Sequence, residues 1–226
     1  MKKPVKYVLV GAITTTLMIS IFMYYSYSLY KKTYTSEYYY QIQIEPDSPL
    51  NEVILYIPLP IFSNVSLVGD NIEAGNVQKP ERFQCSVVTT EYGTMLKITA
   101  DHIDEPSVIT VLLPADDTIN TKNPLHSEMV LFPKYGLVQV PCDFPHPEKW
   151  GTQLACFEYQ TVLYAEYAPE GPLTVSVTLE GRNTWWVLGW SGNSYRDQIL
   201  VTVNGESGWQ SVRGELVQGE GLYSWI

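Results

Sequence analysis

Leu173-Thr174-Val175-Ser176-Val177-Thr178-Leu179-Glu180 alternates apolar and polar side chains without a break. A period of two puts Leu173, Val175, Val177 and Leu179 on one face of a strand and the hydroxyls and carboxylate on the other. The pattern spreads outward from this stretch. Tyr40, Ile42 and Ile44 alternate with Gln41, Gln43 and Glu45, and Phe83, Cys85 and Val87 alternate with Gln84, Ser86 and Val88. Phe157, Tyr159, Thr161, Leu163 and Ala165 form one face of a longer strand whose other face carries Glu158, Gln160 and Glu166. Strands with one wet face belong to antiparallel sheets. The run Val108–Leu113 is apolar at nearly every position and reads as a central strand.

The turns agree with this reading. Val203-Asn204-Gly205-Glu206 places Asn-Gly between two strand-like runs, a strong short-range hairpin signal. Glu91-Tyr92-Gly93-Thr94 joins strands near 82–90 and 95–101, and Pro169-Glu170-Gly171-Pro172 joins 156–167 to 173–181. No helix is expected after residue 37. Eight to eleven short strands predict an all-β domain over residues 38–226, an antiparallel β-sandwich or two small sheets. Residues 115–127 show no period and read as a long loop or as the join between two sheets, with one domain preferred.

The N-terminus is different. From Tyr7 to Leu29 no residue is charged, and a helix of that length crosses a bilayer core. Thr14, Thr16 and Ser20 are compatible with it, because hydroxyls bond to carbonyls of their own helix. Tyr24, Tyr25, Tyr27 and Tyr30 crowd its C-terminal end, where amphipathic rings suit a bilayer boundary. Ser26-Tyr27-Ser28-Leu29-Tyr30 lacks a small-x-small cleavage site, which favours an uncleaved signal-anchor. Gly11 and Thr15 begin a small-residue stripe suited to helix contact. The expected layout is a cytoplasmic tail at 1–6, a transmembrane helix at 7–29, a stalk at 30–37 and an extracytoplasmic domain. The positive-inside bias sets the orientation by a narrow margin.

Charge is divided along the chain. Residues 1–32 hold five of the 14 basic residues and no acid; the rest holds nine bases against all 24 acids. An acidic body repels phosphate backbones, which argues against nucleic-acid partners.

Three cysteines leave one over. Cys85 shares a strand face with Phe83 and Val87 and reads as a buried thiol. Cys142 and Cys156 flank the Pro-rich stretch Phe144-Pro145-His146-Pro147 and form a disulfide pair if the domain lies in an oxidising compartment.

No catalytic signature emerges. Gly189-Trp190-Ser191-Gly192-Asn193 misses the last glycine of a nucleophile elbow. His102, His126 and His146 are too far apart in sequence to pair on a helix. Asp101-His102-Ile103-Asp104-Glu105 offers hard oxygen ligands to Ca2+ without EF-hand spacing, and a solvated loop is the simpler reading. No cofactor is expected. Asn64-Val65-Ser66 is a glycosylation acceptor pattern.

The most unusual stretch is Glu180–Asp197. Five of the six tryptophans fall in the last 42 residues, among them Trp185, Trp186, Trp190 and Trp209. Trp beside Arg182, Asn183 and Asp197 can stack on sugar rings while polar groups fix hydroxyls, although Trp also fills the core or end of a sandwich. Gly-Arg-Asn-Thr-Trp-Trp followed by Gly-Trp-Ser-Gly-Asn-Ser-Tyr-Arg-Asp resembles a block in archaeal single-pass membrane-anchored proteins of unknown function with acidic β-rich ectodomains. That resemblance implies a cell-surface setting and transfers no activity. The functional expectation is a non-enzymatic module anchored in the lipid bilayer, either structural in the envelope or interacting with an envelope protein or glycan. The alternatives are a surface hydrolase of polysaccharide or peptide and an accessory subunit of a membrane complex.

Overall fold

The computed structural model describes residues 3–142, 154–205 and 207–223. The Phe144–Pro147 stretch, Glu206 and Trp225 lie outside the described residues. Helix α1 runs Lys3–Thr33. Strands follow at Thr35–Pro46 (β1) and Leu50–Ile61 (β2), then helix α2 at Leu67–Glu73. Next come β3 (Gln84–Thr90), β4 (Gly93–Ile103), β5 (Ser107–Pro114), helix α3 (Pro124–Ser127), β6 (Val130–Phe132) and β7 (Tyr135–Val140). Four long strands complete the fold: β8 (Ala155–Ala168), β9 (Leu173–Trp186), β10 (Trp190–Val203) and β11 (Gly208–Gly221).

The strands form one antiparallel path in the order β3-β4-β2-β8-β11-β10-β9-β1-β5, with β6 on the end of β2 and β7 on the start of β8. The path curls. β1 and β2 stand far apart in it, yet the Tyr40 hydroxyl donates to the Pro58 carbonyl at 2.9 Å. Ile42, Ile44, Leu55, Ile57, Val175, Val177 and Ile199 share one buried cluster. Two halves of a single sheet therefore face each other across one apolar core, as the alternating pattern requires. Each of these aliphatic side chains adds about 1.5–3 kcal/mol on burial.

Three expectations change. Residues 30–37 form no stalk: α1 continues to Thr33 and β1 begins at Thr35, with only Tyr34 between them. β5 is an edge strand, not a central one. Ile109 and Val111 face the core, whereas Val108 and Leu112 are exposed, so an unbroken apolar run here marks an edge with greasy outer positions. On its other edge Thr110 forms an isolated bridge with Gln78. Helices also occur after residue 37. α2 is capped by the Ser66 hydroxyl, which accepts from Gly69 N–H at 3.0 Å, and it buries Val68, Gly69 and Ile72. A helix of two turns is too short to show a period in sequence.

α1 carries a stretch, Val10–Thr33, long and apolar enough to cross a membrane. The hydroxyls of Thr14, Thr16 and Ser20 donate to Val10, Ala12 and Thr16 carbonyls, four residues back. Tyr24, Tyr25 and Tyr27 are exposed.

Candidate functional site

The unusual block folds as the β9–β10 hairpin, in register from Trp186↔Trp190 to Leu173↔Val203. Strand alternation sends Gly181, Asn183, Trp185, Tyr195 and Asp197 inward. Tyr195 sits directly across from Gly181, as Tyr159 does from Gly214. A Cβ on Gly181 would lie 2.2 Å from Tyr195 Cε1, and one on Gly214 would lie 2.2 Å from Tyr159 Cζ. Each glycine makes room for a ring that lies flat over the neighbouring strand and carries its hydroxyl into the interior.

The Tyr195 hydroxyl meets the irregular segment that follows β5, whereas that of Tyr159 meets Asp197 on β10. Tyr195 donates to the Met129 carbonyl at 2.5 Å, and Tyr38 bonds to the Glu128 carboxylate. Asn183 is buried and satisfied on both sides. Its oxygen accepts from Ser36 Oγ (2.7 Å) and Ile119 N–H (3.0 Å), and its amide donates to Ile119 O (2.8 Å) and Asn193 Oδ1 (2.7 Å). Residues 115–123 are thus a loop clamped over the sheet through Ile119 and Thr121, and it leads into α3.

Asp197 is fully buried. It accepts from Lys134 Nζ at 2.7 and 2.8 Å, from Tyr159 Oη at 2.6 Å and from Leu131 N–H at 2.7 Å. The Lys134 ammonium also lies 3.3 Å from the centre of the Tyr159 ring. Burial pulls Lys134 down to about 8, against the opposing pull of Asp197. Burial, followed by the adjacent Asp197 charge, pushes the Tyr159 phenol well above its usual value. Charge, donors and ring are all mutually consumed, and the group ties β8, β10 and the β6–β7 connection together. Arg182 pairs on the surface with Glu37 at 2.5 Å.

The tryptophans separate. Trp185 is buried, stacked on Tyr34 (5.9 Å between ring centres) and edge-on to Tyr30 at 5.8 Å. Trp186 N–H donates to the Thr33 hydroxyl at 2.9 Å. These contacts fasten the end of α1 to β9. Trp190 is 74% exposed at the hairpin tip. Trp209 lies elsewhere, among Tyr56, Tyr92 and Tyr164, with ring centres 4.7–5.6 Å away. Val88, Thr89, Thr90 and Lys97 complete a groove of about 340 Å³ around it. So the structure does not gather Trp185, Trp186, Trp190 and Trp209 into one platform, and Arg182, Asn183 and Asp197 do not line the Trp209 groove. Sequence reasoning missed Tyr56 and Tyr164. The signal was weak: Tyr56 shares its face of β2 with Ile54 and Pro58, and only on β8 does Tyr164 fall on a face carrying Glu158, Gln160 and Glu166.

The remaining candidates sit apart. Cys142 and Cys156 are joined by a disulfide that ties the chain after β7 to β8. Cys85 is a free, half-buried thiol, pushed up by burial. Asn64 is exposed in a tight turn where Phe62 and Val65 exchange backbone bonds, and Ser66 is occupied as the α2 cap. Near the acidic cluster, Arg82 bridges Asp104 (3.1 Å) and Glu105 (3.7 Å), and His102 bonds to Asn51. Among the described residues no group of three or more His, Cys, Asp or Glu is arranged to hold a metal ion. No protein-family model, curated protein or solved structure matches the chain.

Proposed function

We propose that the protein is a single-pass, N-in signal-anchored module of the cell surface, of the archaeal kind its Trp-rich block resembles, and that it binds a glycan through the Trp209 groove. One observation carries this reading. Arg182, Asn183, Trp185 and Asp197 of the β9–β10 hairpin are consumed by structural contacts and Trp190 stands alone at its tip, whereas the rings of Tyr56, Tyr164 and Trp209 line an open groove beside Lys97, Thr89 and Thr90. Aromatic faces suit the apolar faces of sugars, and the hydroxyls and ammonium suit sugar oxygens. The groove lies toward the far end of the domain from α1, because Trp209 pairs with Tyr164 near the start of β11 and the end of β8. The disulfide supports an oxidising, extracytoplasmic compartment.

The test is a glycan-array screen of the full chain in nanodiscs, followed by titration of any hit. Trp209→Ala should weaken binding at least tenfold, and Trp190→Ala should leave it unchanged. Equal loss with both variants, or no glycan retained by the folded chain, would overturn the reading. A polysaccharide hydrolase draws on a single feature: Glu158 and Glu215 sit directly opposite each other beside a groove of about 290 Å³. Arg213 already binds Glu158, which favours an ion pair over a reacting couple. Polysaccharide cleavage abolished by Glu215→Gln would reverse that preference.

A further inference from the structure

The tip of the β9–β10 hairpin is the most exposed apolar feature of the β domain. Leu188 is 67% and Trp190 74% exposed. Leu188 also holds a left-handed backbone, φ +58°, a region that bulky side chains rarely occupy. The tight three-residue turn between Trp186 and Trp190 accounts for the conformation, yet a glycine or asparagine would meet it as well, and the bulky side chain placed there is left exposed. The sequence is equally unusual here. From Asn183 to Tyr195 there is no charged residue, in a body that carries all 24 acids, and Arg182 and Arg196 flank the gap.

The position of this tip is fixed by contacts to α1. Thr184 pairs with Thr35, so β9 runs antiparallel to β1 and continues past the start of that strand toward the helix. Trp186 is level with Thr33, which its N–H reaches at 2.9 Å, and the Trp185 ring lies against Tyr30 and Tyr34. Val187, Leu188 and Gly189 form the turn, closed by the Val187 N–H to the Gly189 carbonyl at 3.0 Å, so Leu188 is the apex just beyond Trp186. The apex therefore lies beside the last turns of α1, on the C-terminal side of exposed Tyr24, Tyr25 and Tyr27. Trp190 pairs with Trp186 and stands at the height of Thr33.

We propose that Leu188 and Trp190 enter the headgroup boundary of the bilayer beside α1, making the hairpin a second membrane contact. This rests on the reading that α1 spans the membrane. Leu188 reaches the acyl boundary, the Trp190 indole lies among the headgroups, and Arg182 and Arg196 mark the water side. Together with the Trp185 stack, the second contact fixes the tilt of the domain. The Trp209 groove is then held at a set angle to the membrane.

The experiment uses the full chain in phosphatidylcholine vesicles and compares wild type with Trp190→Phe, so that the difference spectrum isolates Trp190. Lipids brominated near the headgroup end of the acyl chain should quench that difference signal at least twofold, while iodide in the water should leave it nearly unchanged. Quenching by iodide and not by brominated lipid would overturn the proposal. Protection from both would also overturn it, since that places a protein partner or a second copy on the tip. Alkaline carbonate extraction keeps the two readings apart. If the chain leaves the vesicles, the span itself fails; if it stays while Trp190 answers to iodide, only the hairpin contact fails.

Discussion

Asp197 decides more of the interior than any other single residue. Its carboxylate is buried with Lys134, Tyr159 and the Leu131 amide around it. Removing one partner of such a pair leaves an uncompensated charge, so Asp197→Ala should cost about 3–5 kcal/mol in denaturant unfolding of the full chain in detergent. The pH dependence has a definite sign. Lys134 sits at about 8 in the fold against 10.5 ordinarily, so between these values the unfolded chain holds more protons. This contribution to stability is absent below pH 8, grows with rising pH and is complete above 10.5. Burial raises the phenols of Tyr40, Tyr159 and Tyr195, whose contribution is present below about pH 10 and lost above it. The Cys85 thiol, raised by burial from an ordinary 9.0, opposes the gain above pH 9, so wild type should gain stability between pH 8 and 9, by at most about 1.4 kcal/mol per pH unit. Lys134→Arg, which does not titrate there, should flatten the rise. A stability that falls through this window in both proteins would refute the assignment. Asp197 was legible in the sequence only as a polar member of an odd block. Its partner Lys134 lies 63 residues away and carries no local mark.

At the scale of elements, period two placed the inward faces of β1, β8 and β9, and Asn204-Gly205 placed the β10–β11 hairpin, with Gly205 at φ +83°. Those signals are local, which is why they survive folding unchanged. The position of β5 was not local. Whether an apolar run lies inside or at the edge depends on strands distant in sequence, and here β1 covers one side only. The join of α1 to β1 was also hidden, because Tyr30 and Tyr34 find Trp185 about 150 residues later. The disulfide closes a loop 14 residues long in sequence separation. Cys142→Ser with Cys156→Ser should lose roughly 3 kcal/mol on the loop-entropy account. The loss should be largest for β7 and β8 in amide exchange; an unchanged exchange map would show that the bridge is idle.

For the whole molecule, three separate features agree on one arrangement. The helix is apolar and ringed by tyrosines at one end, the acidic domain follows it without a stalk, and the charge-free tip of the β9–β10 hairpin sits next to the end of the helix. Sequence alone exposed the first; the second and third required knowing which strand returns to the helix. The most direct measurement is labelling of intact cells with a membrane-impermeant maleimide. In a Cys85→Ser background, which removes the free thiol of the domain, the full chain would carry one new cysteine, at exposed Asp117 in the domain or at Lys3 in the tail. The account predicts that Asp117→Cys is labelled on intact cells and Lys3→Cys only after lysis. The reverse pattern, or labelling of neither before lysis, would contradict it.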